Sequence, residues 1–173
     1  MKEIFQALAR YNRGVNETIL ALIEPLGEEP IRQKSKAYFP TLFDTLFHLL
    51  SADLYWLSRF QEFLPESRAL LSHPLVRVDL RELRKRYDPD YRKLFQDRRD
   101  TDETLVQLIE EIEEPRFHST VKYKTFKGEE AEGILWKILL HWFNHQTHHR
   151  GQISVQLDLI EVKNDFSSML TRI

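Results

Sequence analysis

A chain of 173 residues that is 42% hydrophobic and 12% aromatic can bury one sizeable core, so a single domain over residues 1–173 is expected. Its 25 Lys and Arg against 27 Asp and Glu leave a net charge of −2, with no basic excess to hold nucleic acid or anionic lipid. Cysteine is absent, which excludes a disulfide framework and a thiolate nucleophile and leaves any metal to imidazole and carboxylate ligands.

The first predicted helix runs from Lys2 to Glu24. It places Phe5, Leu8, Tyr11, Val15, Ile19 and Leu22 at spacings of three and four and stops at Pro25 and Gly27. Charges interrupt its apolar runs, so it holds neither a secretory h-region nor a span of ~20 apolar residues. A cytoplasmic protein without a membrane partner is expected.

A second helix is predicted after Pro40, with Thr41 as its cap, running to about Phe63 before Pro65. Its apolar residues occupy more than one face, as in a helix with neighbours on two sides. Pro65 to Val78 reads as an irregular linker draped over the bundle. The third segment repeats Leu80, Leu83, Tyr87, Tyr91, Leu94, Arg98, Thr101, Leu105, Leu108 and Ile112 in threes and fours like a bundle seam. Asp88-Pro89 is a point of kinking or restart.

Between Pro115 and Glu130 the alternation in HSTVKYKTF, followed by Lys127-Gly128, suits a short β-hairpin. The last helix is predicted from about Ala131 to Ile160, with Gly151 in its interior. An isolated glycine there costs ~1 kcal/mol relative to alanine, which points to close packing or a nearby ligand. These elements describe an all-α domain of four-helix-bundle type with a hairpin before the last helix.

Seven histidines occur, and His141, His145, His148 and His149 fall close together in the last helix. His145 and His149 lie one turn apart on one face, where two imidazoles can converge on one ion. His141 sits one turn earlier on that stripe, while His148 points about 100° away and is the poorer ligand. A third ligand must come from elsewhere, and His48, among Leu46, Phe47, Leu49 and Leu50 of the second helix, is the candidate. Three neutral imidazoles leave a divalent ion with open positions.

The segment HWFNHQTHHRGQIS, with its N-H-x-x-x-H-R-G-Q core, resembles the signature of the DinB family of metalloenzymes. Tyr11-Asn12 and FDTLFHLLSADLYWLSRF are similar to that family's other blocks. The resemblance implies a four-helix bundle with a long crossover connection, a metal site between the second and fourth helices, and a homodimer. It maps His48, His145 and His149 onto the family's metal ligands. It also implies zinc or nickel, with manganese or iron as further options, and low-molecular-weight thiols as partners in S-transfer or isomerisation.

A metalloprotease would carry Glu after the first histidine of the pair, but Gln146 stands there. Clustered Glu-x-x-His pairs of a di-iron bundle are missing as well. Asp44, one turn before His48, and Asp53, five residues after it, are each read as a group that orients an imidazole or takes a proton at the site, or else as an exposed acid, and Asp44 is taken as a catalytic candidate. Tyr11 and Asn12 are read as catalytic candidates reaching the pocket from the first helix, Tyr11 as a donor to a polarised oxygen, with a core role as its alternative, and Asn12 as an orienter of bound water. Arg150 is read as a buried ion pair or helix contact, and Trp56, Trp136 and Trp142 as packing residues. Two functions remain open: a metal-dependent hydrolase or thiol transferase acting on a small molecule, and a non-catalytic stress-associated metal-binding or dimerisation protein.

Overall fold

A computed structural model describes residues 1–170. In chain order the elements are α1 (Lys2–Ile23), α2 (Glu28–Arg32), α3 (Leu42–Phe63), α4 (Arg68–Ser72), α5 (Leu80–Leu83), α6 (Arg92–Glu111), β1 (Thr120–Lys124), β2 (Glu130–Ile134) and α7 (Leu135–Leu159). Three short 3₁₀ turns lie at Glu24–Leu26, Arg84–Arg86 and Glu114–His118. The four long helices α1, α3, α6 and α7 make the bundle.

The first stripe buries Phe5, Val15, Ile19 and Ile23, and α1 passes into the Pro25 turn, where Gly27 takes φ +78°. Thr41 caps α3, its hydroxyl accepting from the Asp44 backbone N–H at 3.0 Å. α3 buries residues on two sides, among them Phe43, Leu50, Leu57 and Phe60. The closest packing pairs α1 with α6 and α3 with α7, and secondarily α3 with α6 and α1 with α7. α1 therefore lies diagonally opposite α3, and α6 opposite α7. The connections leaving α1 and α6 each join helices that lie diagonally across the bundle.

The predicted third segment is broken at the expected place: α5 and the Arg84–Arg86 turn precede Pro89, and α6 restarts at Arg92. The linker at Pro65 to Val78 is more ordered than its sequence suggests. Ser67 caps α4 by accepting from the Leu70 N–H, and Ala69, Leu70, Leu75 and Val76 are buried. The last helix starts at Leu135 rather than Ala131, because residues 130–134 pair antiparallel with β1 in the register Thr120↔Ile134 to Lys124↔Glu130. Gly151 is also corrected: it is exposed, and a Cβ there would meet nothing within 4 Å, so close packing within the chain does not explain it. Among the described residues no helix is long and apolar enough to cross a membrane.

Candidate metal centre

His48 lies in the middle of α3, and His145 and His149 lie one turn apart on α7. Because α3 and α7 are direct neighbours, the three rings converge. His48 Nε2 is 3.2 Å from His145 Nε2 and 3.1 Å from His149 Nε2, and the latter two are 3.1 Å apart. This near-equilateral triangle is the cluster of potential metal ligands among the described residues.

Gln152, one turn beyond His149, fixes that ring. Its Oε1 lies 2.6 Å from His149 Nδ1, and an amide oxygen can only accept, so Nδ1 carries the proton and the Nε2 lone pair points into the triangle. Phe39, in the loop before α3, stacks on the His48 ring at 4.5 Å and meets His149 edge-on at 5.5 Å. Burial, reinforced by the neighbouring His149, pushes His48 down to about 4. Burial and the other imidazoles do the same to His145, also to about 4. Burial lowers His149 as well, opposed by the Gln152 bond. All three rings are thus neutral near pH 7.

Three imidazole nitrogens this close either share protons in N–H···N hydrogen bonds or converge on a cation. Nitrogens bound at about 2.1 Å to one ion lie roughly 3.0–3.4 Å apart for octahedral to tetrahedral angles. The observed separations fall in that range, so the residues present fit a divalent metal.

The triangle borders a cleft of ≈ 470 Å³ between α3, α7 and the hairpin. His48 and His145 line its inner end, with Tyr55, Trp56, Tyr123 and Phe126 among its walls. The Tyr55 hydroxyl donates to the Lys124 carbonyl at 2.6 Å and so docks the hairpin on α3.

The model of the DinB family matches residues 1–162. The chain belongs to the DinB family. It is 25% identical to the Bacillus subtilis (strain 168) protein named "Protein DinB" over 158 residues, which are 91% of this chain and 86% of that protein. No solved structure matches the chain at a significant level.

Within this DinB-family fold, Asp44, Tyr11 and Asn12 are hydrogen-bonded to groups other than the triangle. Asp44 sits at the start of α3, where it accepts from the Thr41 hydroxyl at 2.7 Å and pairs with Arg84 at 2.8 Å. Tyr11 is buried, its hydroxyl donating to the Phe166 carbonyl at 3.1 Å. Asn12 is fully buried and donates to Asp102 at 3.0 Å. His141 lines the cleft beside Trp56, and exposed His148 lies edge-on to His149 at 4.9 Å.

Sequence reasoning missed a buried polar network that joins all four long helices. Asp53 is wholly buried, which rules out the exposed-acid reading. One of its oxygens accepts from Trp142 at 2.5 Å and from Gln146, and the other lies 2.6 Å from Arg98. Arg98 also pairs with Asp102 at 2.9 Å, and Asp102 accepts from Asn12 and Asn16 of α1. Arg150 closes the network by donating to the Asn12 side-chain oxygen. Burial pushes the Asp102 carboxyl up to about 6, opposed by Arg98, so it stays ionised at pH 7. Two acids and two arginines therefore balance inside the bundle. The readable signal was Arg98, a charged residue on a seam position.

Proposed function

We propose that this chain is a metal-dependent enzyme acting on a small molecule, with a divalent ion held by His48, His145 and His149. The observation that carries the proposal is the triangle of Nε2 atoms 3.1–3.2 Å apart, bordering the ≈ 470 Å³ cleft. Zinc or nickel suits three imidazoles best, with manganese or iron as alternatives.

A bound divalent ion supplies Lewis acidity, lowering the pKa of a water or thiol beside it and so favouring hydrolysis or thiol transfer at neutral pH. His48 and His145 face the cleft, so a substrate there lies against two of the three ligands. Gln152 holds the His149 tautomer, and Phe39 shields the back of the His48 ring from water. A cellular low-molecular-weight thiol is the co-substrate expected for the transferase reading.

The test is elemental analysis of untagged protein alongside His48→Ala and His149→Ala. Stoichiometric metal in the parent and its loss in both variants is expected. Full retention in either variant would refute the three-histidine site.

A second reading, a non-catalytic metal-binding protein that dimerises, is favoured by one feature. Leu140, Val155 and Leu159 of α7 are exposed at 49%, 58% and 66%. Sedimentation of the parent and of Val155→Asp checks whether this face pairs two copies.

A further inference from the structure

We propose that the cleft beside the histidine triangle accepts a flat aromatic or conjugated acid, with Lys137 as the group that recognises its anion. This names the substrate class for the site assigned above and rests on that reading only for the reaction, not for binding.

Three features converge on that ligand chemistry. The first is periodicity: Lys137, His141 and His145 are spaced four apart on α7, and all three line the cleft. They form one stripe rising from the mouth to the histidine triangle. Eight residues at 1.5 Å per residue separate the ends of this stripe by about 12 Å, the length of a small aromatic molecule with a polar group at each end.

The second feature is charge. Lys137 is the one formally charged side chain lining the cleft, and no carboxylate lies on its walls. Among the described residues Lys137 makes no ion pair; its ammonium rests over the Trp136 ring at 5.6 Å. Arg59, by contrast, is held over Tyr55 and on the Lys124 carbonyl. An anion entering the cleft therefore meets a cation with no acid beside it.

The third is shape. Phe126, at the hairpin tip, is 73% exposed yet stacks face to face on Tyr55, at 3.9 Å and 12°. Trp56 and Tyr123 supply further rings at 5.5 Å from each other. Ala52, one turn beyond His48, leaves the α3 wall low where the others are bulky. Aromatic walls of this kind favour a planar ligand by offset stacking and edge contacts.

The probes are trans-cinnamate and its uncharged isostere cinnamamide, titrated calorimetrically. The His149→Ala protein is used beside the parent, so that coordination of the carboxylate by a metal cannot account for a preference. We expect both proteins to bind the acid about tenfold more tightly than the amide, the effect of one charge-assisted contact. Lys137→Gln should erase that preference, Lys137→Arg should restore it, and Phe126→Ala should weaken acid and amide alike. Equal binding of acid and amide, binding of neither, or a preference surviving Lys137→Gln would overturn the proposal. A parent protein without metal that still discriminates through Lys137 would sink the metal-enzyme reading alone.

Discussion

Gln152 Oε1 lies 2.6 Å from His149 Nδ1, while the amide nitrogen of the same side chain is 3.4 Å from His148 Nε2. One amide thus holds one ring as a ligand and leaves its exposed neighbour outside the triangle. Replacing Gln152 with Ala frees the His149 ring to rotate and change tautomer. Metal affinity should fall by about 10–100-fold, as for other residues that orient a ligand, measured by chelator competition. An unchanged affinity would show that the helix alone orients His149.

Arg98 sits between Asp53 and Asp102 with 2% exposure. Arg98→Met would leave two buried carboxylates without their cation. The expected loss is about 3–5 kcal/mol, the usual effect of breaking a buried pair from one side. Urea denaturation followed by circular dichroism measures it.

Phe39 covers the His48 ring, and burial is the main reason that ring titrates near 4. Phe39→Ala should admit water and move the His48 midpoint back toward its ordinary 6.5 in metal-free protein. A proton NMR titration of the imidazole resonances reads the shift, and no movement would mean the loop does not seal the site.

His73 is held against Thr101 of α6 and has a single workable proton position. The Leu75 N–H donates to its Nδ1 at 3.1 Å, so the proton sits on Nε2 and faces the Thr101 hydroxyl at 3.1 Å. Burial holds its pKa below 6.5. Below pH 6.5 the unfolded chain therefore binds more protons at this site than the folded one, and stability decreases as pH falls. The slope from His73 is at most about 1.4 kcal/mol per pH unit. His48, His145 and His149 act in the same direction. Denaturation midpoints between pH 7 and 5 should show a shallower decline for His73→Gln than for the parent.

Much of this molecule is legible along the chain because helical periodicity is a local property. The stripes of α1 and α6, the Thr41 cap, the restart at Pro89 and the hairpin signal at Lys127-Gly128 each depend on residues a few positions apart. So does the alignment of His145 with His149, which follows from four residues making about one turn. Of the two readings of Arg150, a buried ion pair or a helix contact, the structure shows a buried side chain that donates to Asn12 and Thr147.

Periodicity says which residues share a face, but not which helix that face will meet. Only packing decided that α3 lies against α7 while α1 lies across the bundle, and this alone brings His48 within 3.2 Å of its partners. Packing also buried Asp53, tied Asp44 to Arg84 and laid Phe39 from a loop onto an imidazole. A carboxylate or a loop ring has no period of its own, so its partner is fixed by how the four helices pack their side chains together and by where the crossing connections run.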